Sequence, residues 1–174
     1  MKGNSDAGAE SQAPVTAAVC GLYCDACSIF IGTHEEPKRL EWFAARVGWD
    51  VEQARCEGCR SRKRTPYCEA CRLYRCAEER GLAFCGECED YPCAELQAFQ
   101  CEQPHRAELW ENLARIGEIG SKAWLDEVRQ RYTCPSCGTL HSAYDLKCRA
   151  CGCEPSCDYV ATHREAILAA SSPR

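Results

Sequence analysis

The chain has no run of apolar residues long enough to cross a membrane. Its opening stretch, Met1 to Val19, is polar and rich in small residues, without the apolar segment of about 7–15 residues that a secretory signal needs. Excess positive charge is also missing: 21 Lys and Arg against 26 Asp and Glu give a net charge of −5 and a pI near 5.5. That argues against a general nucleic-acid binder, whose footprint is normally basic. There is no glycine-rich loop to cradle a phosphate and no Ser/His/Asp set with local support, so no catalytic constellation stands out. Large apolar residues are few beside the cysteines, which suggests a fold held together by bonds more than by one large core. The expectation is a cytoplasmic protein with no membrane partner, and a binding or accessory protein more readily than an enzyme.

What the chain does have is cysteine, 18 in 174 residues. Twelve of them form Cys-x-x-Cys pairs: Cys24/Cys27, Cys56/Cys59, Cys68/Cys71, Cys85/Cys88, Cys134/Cys137 and Cys148/Cys151. Two intervening residues let a tight turn aim both sulfurs, and its own N–H groups, at one metal ion. In a reducing compartment such pairs favour metal over disulfide. Four thiolates around one divalent ion leave a net charge of about −2, so a loaded protein is more acidic than its formal charge.

The strongest motif is Cys134-x2-Cys137-x10-Cys148-x2-Cys151, with Gly138 and Gly152 just after each pair, where a turn needs positive φ. It predicts a closed, structural zinc ribbon, although a rubredoxin-like iron centre uses the same ligands. Between Cys56 and Cys93 eight cysteines fall in 38 residues. They divide sequentially, Cys56/Cys59/Cys68/Cys71 and then Cys76/Cys85/Cys88/Cys93, or they interleave, with Cys56/Cys59 joining Cys85/Cys88 as in cross-brace domains. Cys20-x3-Cys24-x2-Cys27 has the spacing by which radical-SAM enzymes hold an open cluster. The rest of the chain lacks the βα alternation of their barrel, so a third metal site with a fourth ligand from elsewhere is expected, with a 4Fe-4S cluster as the alternative. Cys85-Gly-Glu-Cys88 lacks a thioredoxin-like setting and reads as a metal knuckle. Cys101, Cys153 and Cys157 have no assigned role, and His34 and His141 are expected to be exposed.

Hydrophobic periodicity supplies helices between these motifs. Leu40, Phe43, Ala44 and Val47 mark an amphipathic helix of about 11 residues that ends at Gly48, begun by a Thr33–Glu36 capping box or by Pro37. Ala94 to Gln100 reads as a short helix. Leu109, Leu113 and Ile116, then Trp124, Leu125, Val128 and Tyr132, predict a helical hairpin punctuated by Gly117 and Gly120 and capped by Ser121. Thr162 to Glu165 forms a second capping box before Ala166–Ala170. The basic run Arg55, Arg60, Arg62, Lys63 and Arg64 reads as a solvated loop whose charges offset the thiolates; the sharper alternative is an RNA or phosphate contact.

The motifs CGLYCDAC at 20–27, CEGC at 56–59 and CEACRLYRCAEERGLAFCGECEDYPC at 68–93 resemble the domain-of-unknown-function 3795 family, and NLARIGEIGSKAWLDEVRQRYTCPSCG at 112–138 resembles its longer members with an appended zinc ribbon. The resemblance implies a small cysteine-rich protein with metal at Cys20, Cys24, Cys27, Cys56, Cys59, Cys68, Cys71, Cys76, Cys85, Cys88 and Cys93. It implies no activity. The expected fold is a small metal-stabilised, α-rich irregular fold with a C-terminal zinc ribbon. Its parts are a disordered tail (1–18), a multi-site cysteine module (19–101), a helical hairpin (102–132), a zinc ribbon (133–157) and a short C-terminal helix and tail (158–174). The expected function is that of a zinc protein with roughly three or four structural ions, serving an unidentified protein partner. The alternative is an iron–sulfur electron carrier or accessory subunit of a redox enzyme; nucleic-acid contact through residues 55–64 is a lesser one.

Overall fold

A computed structural model describes residues 13–171. Residues 1–12, most of the expected tail, lie outside the described residues. The last part of that tail is no tail: Ala17 and Ala18 are buried in the core, the Ala18 N–H bonds Leu22 O at 3.0 Å, and the Cys24 N–H bonds Thr16 O at 2.9 Å. Small side chains let this segment lie flat against its neighbours, which composition alone reads as a lack of anything to bury.

Helices dominate the described residues, and only isolated bridges, Ala17–Tyr23 and Thr133–Leu140, stand in for strands. In chain order the helices are α1 (Ser28–His34), α2 (Pro37–Val47), α3 (Val51–Ala54), α4 (Pro66–Glu69), α5 (Arg72–Arg80), α6 (Ala94–Cys101), α7 (Leu109–Ile119), α8 (Ser121–Arg131) and α9 (Asp158–Ser171). Pro37 opens α2, as one of the two sequence readings has it. The Thr33–Glu36 capping box does not form. Thr33 lies inside α1, donates its hydroxyl to Ile29 O and accepts the Cys56 N–H. Leu40 and Ala44 of α2 pack with Ala54 in a small satellite cluster, whereas Val47, the expected fourth member of the stripe, is exposed.

The main core runs from Ala17 to Ile167. Its centre is the hairpin of α7 and α8, which bury Leu109, Leu113, Ile116, Trp124 and Val128 against Tyr23, Leu73, Phe84 and Leu96. Gly120 makes the break; Gly117 stays inside α7, and Ser121 is the first residue of α8 and makes no side-chain cap. Across the hairpin the Arg115 guanidinium grips both carboxylate oxygens of Glu127 at 2.8 and 2.7 Å, and Trp124 Nε1 donates to Asn112 Oδ1 at 3.2 Å. α9 closes the other side. Tyr159 stacks on Tyr132 with centroids 4.7 Å apart and donates its hydroxyl to Pro104 O at 2.7 Å. Helical geometry lapses at His163, and Thr162 bonds back to Asp158 O, so the second capping box is not formed either. Among the described residues no helix is long and apolar enough to cross a membrane.

Candidate metal centre

Past α8 the chain makes the same turn twice. The Cys134 N–H donates to Thr139 O and the Gly138 N–H to Cys134 O; the Cys148 N–H donates to Cys153 O and the Gly152 N–H to Cys148 O, all at 2.8–3.0 Å. Gly138 and Gly152 take φ of 76° and 77°, which side-chain-bearing residues rarely adopt. The two turns face each other and bring the Sγ atoms of Cys134, Cys137, Cys148 and Cys151 within 4.8 Å of one another. Cys134 lies 3.7 Å from Cys151 and Cys137 lies 3.5 Å from Cys148. Four soft sulfur donors at this spacing form a set that could hold a metal ion.

The surroundings favour the thiolate at two of the four cysteines, Cys148 and Cys137, and oppose it at Cys151. The Cys151 N–H points at Cys148 Sγ from 3.4 Å, and backbone donors there push that thiol down to about 5. The Thr139 hydroxyl, 3.2 Å from Cys137 Sγ, lowers that thiol as well. His141, expected to be exposed, is fully buried, and its Nε2 stands 3.3 Å from Cys148 Sγ. The other ring nitrogen, Nδ1, has no hydrogen-bond partner and sits 3.6 Å from Asp145 Oδ2. His34 is exposed, as expected.

A polar clasp joins this quartet to the α1–α2 junction. Asp145 accepts the Ser142 N–H at 2.9 Å and pairs with Arg39 at 3.0 Å; Arg39 also pairs with Glu36 at 2.6 Å. Arg149, next to Cys148, pairs with Glu36 at 2.9 Å and with Glu35, and donates to Leu140 O at 3.0 Å. Arg39, Asp145 and Arg149 belong to no sequence motif, and Glu36 was expected only as a helix cap. The one available signal was position: His141 and Asp145 fall inside the loop between the two pairs.

The upstream cysteines are arranged differently. Among the described residues, the 134–151 quartet alone gathers its donors within 4.8 Å. Cys76 on α5, Cys85 and Cys88 at the tight turn Cys85–Glu87, and Cys93 just before α6 line one cavity of about 30 Å³ together with apolar side chains. Burial, then the neighbouring Cys93 and Cys76, pushes the Cys85 thiol up to about 12. Cys20, Cys24 and Cys27 lie against the second and third pairs. The Cys59 N–H reaches Cys24 Sγ, Cys56 and Cys68 share a hydrogen bond, and Cys20 is buried beside Cys59. The contact depends on Gly58: at φ 106° its Cβ, if it had one, would lie 2.6 Å from Val15 O.

The basic run is not a solvated loop. Arg60 donates to Ala17 O at 2.8 Å and to Ala83 O, and stacks on Phe84; Arg64 donates to Cys59 O at 3.3 Å and stacks on Tyr74. Arg55 and Lys63 both pair with Glu52, leaving Arg62 exposed. A guanidinium that satisfies backbone carbonyls while lying on a ring acts as a strut for the turn it leaves. Cys101 is exposed, and His105, one turn on, bonds the Tyr144 hydroxyl at 2.6 Å instead of facing it. Cys153 accepts from the Ser136 hydroxyl at 3.4 Å, and Cys157 is buried beside Ser156.

The fold and the site therefore define a helix-rich, cysteine-rich protein with a thiolate quartet that could bind a metal. Residues 16–98 match the model of the family described as "Protein of unknown function (DUF3795)", which is the family the cysteine motifs resemble. Comparison with curated proteins and with solved structures finds no match.

Proposed function

We propose that this chain is a zinc-binding protein whose ions are structural. In this reading Cys134, Cys137, Cys148 and Cys151 hold one ion in a closed ribbon-like site, and the upstream thiolates hold others. The observation that carries the reading is the spacing of the quartet. With Zn–S bonds of about 2.3 Å, a tetrahedral site has sulfurs roughly 3.8 Å apart, and the two closest pairs here stand at 3.7 and 3.5 Å. A cubane cluster binds each thiolate to a different iron and needs its sulfurs farther apart, so the spacing favours a single ion at this site. Zinc there supplies a cross-link between two turns that have little apolar surface of their own to hold them together.

The reading extends to a cytoplasmic setting, where ligand thiolates persist, and to a role as an interaction or accessory protein, since no arrangement of side chains in the described residues resembles a reaction centre. Arg60 and Arg64 brace the fold, which takes two of the basic residues away from the nucleic-acid alternative. The test is elemental analysis and a visible spectrum of protein purified without oxygen, alongside Cys134→Ser. Colourless wild type, with one zinc fewer per chain in the variant, is the expected result. Iron with acid-labile sulfide overturns the reading in favour of the iron–sulfur alternative.

A further inference from the structure

We infer that Cys76, Cys85, Cys88 and Cys93 form a second metal site, separate from the C-terminal quartet, that takes one thiophilic divalent ion of the zinc, cadmium or cobalt(II) kind. The inference rests on the proposed reading that this chain takes up metal on thiolates, and it decides a grouping that spacing leaves open.

Three observations carry it. The four cysteines come from different elements yet line one cavity: Cys76 from the outward turn of α5, Cys85 and Cys88 from the turn that follows Phe84, Cys93 from the start of α6. Cys85 and Cys88 are held as a knuckle, with the Cys88 N–H on Cys85 O at 3.2 Å and the Tyr91 N–H on Cys88 O at 3.0 Å. The interleaved grouping would need them beside Cys56 and Cys59, but those two lie against Cys68 and Cys24.

The second observation is size and lining. The cavity is small, and cysteines are four of the nine residues around it. Apart from the sulfurs, the walls are Leu73, Ala77, Leu82, Tyr91 and Leu96, so the thiols are the only strong donors facing the space. Their sulfurs are not gathered within 4.8 Å of one another as those of the C-terminal quartet are, so binding an ion has to draw them together.

The third is charge. Arg80 Nη1 lies 3.1 Å from Cys88 Sγ, and Asp90 fixes the same guanidinium at 2.7 Å. A divalent ion on four thiolates leaves a charge of about −2. A guanidinium donating to one of those sulfurs offsets part of it and steadies the ligand, as outer-shell partners of metal sites do.

Zinc content of the full-length protein tests this. Cys76→Ser and Cys93→Ser should each lose one zinc per chain, and the double variant should lose that same one and no more. Cys93→Ser combined with Cys134→Ser should lose two. Unchanged zinc in either single variant, or a loss of two in Cys76→Ser/Cys93→Ser, overturns the inference. If Cys134→Ser alone loses zinc, the proposed function stands while this site falls; zinc-free wild type sinks both. Should a variant precipitate, the wild type decides. In zinc-loaded protein the four thiols should resist N-ethylmaleimide together and become reactive together on adding a chelator, as read by peptide mass mapping. Independent reaction of any one of them counts against the site. Arg80→Ala should release its zinc to a competing chelator about 10-fold more readily, with Arg80→Lys restoring part of the hold.

Discussion

The two cysteine-rich regions solve the same problem in different ways. In residues 134–151 two copies of one turn face each other, and the four sulfurs already meet at single-ion distances with their N–H donors, a hydroxyl and His141 in place. In residues 76–93 the sulfurs come from two helices and a turn, and they surround a small apolar cavity that the hydrophobic core shapes, with Leu73 and Leu96 serving both. The first site is organised by its own backbone. The second is organised by the fold around it. The difference teaches that a knuckle pair sets the aim of two sulfurs, while what completes the quartet is either a repeat of the same local device or the packing of the whole domain.

The largest effect should come from loss of the ion proposed for the 134–151 quartet. Cys134→Ser, or a chelator, should release residues 133–157 from their fold, because folding and metal binding share one free energy of about 10–16 kcal/mol in small zinc-finger peptides. Hydrogen exchange should rise across that segment while α7 and α8 keep their protection. A uniform rise would mean that the two regions are not separable.

The converse change strikes the core that shapes the second site. Trp124 is 2% exposed and packs edge-on to Tyr23 at 6.3 Å. Trp124→Ala should cost about 3–5 kcal/mol in denaturant unfolding. It should loosen the hold on zinc at Cys76/Cys85/Cys88/Cys93 more than at the C-terminal quartet, as chelator competition on site-selective variants would read. Equal loosening would erase the distinction drawn here.

Smaller effects sharpen it further. His141→Phe removes the ring nitrogen that stands 3.3 Å from Cys148 Sγ, and the expected outcome is about a 10-fold weaker hold on zinc with a shifted cobalt–thiolate absorption band. A purely space-filling His141 would leave the band unmoved. In the clasp, Arg39 and Asp145 are both largely shielded, and a double-mutant cycle on the pair should give about 1 kcal/mol of coupling. A value near zero would show that the C-terminal site stands on α1–α2 without needing the ion pair.

A pH-dependent effect is separate from these. Burial, with Arg106 nearby, pushes His105 down to about 4 from its ordinary 6.5. Between those values the unfolded chain binds more protons than the folded one, so stability rises with pH across this window. Its contribution is fully present above pH 6.5 and is lost as pH falls toward 4. Protonation of ligand thiolates also acts at low pH, so the readout is the difference between wild type and His105→Gln, which should show the flatter profile. Identical profiles would remove His105 from the account.

Much of this molecule is local, and local features are what a sequence displays. The Cys-x-x-Cys turns, the positive φ of Gly138 and Gly152, the start of α2 at Pro37 and the stripes of α7 and α8 each follow from residues within a few positions of one another. The misreadings share the opposite property. Ala17 and Ala18 look like tail but are core, Arg60 and Arg64 look solvated but brace Ala17, Ala83 and Cys59, and Thr33 bonds Cys56 instead of capping a helix. His141 looks exposed and is buried because the clasp from Arg39 and Arg149 draws its loop onto α1–α2. Sequence by itself determined the two turns at Cys134–Gly138 and Cys148–Gly152, since two intervening residues and a glycine leave the backbone few ways to turn. Only the tertiary structure decided which pairs share a space, because that depends on contacts between residues far apart in the chain, whose closure is offset by burial and not by any local preference.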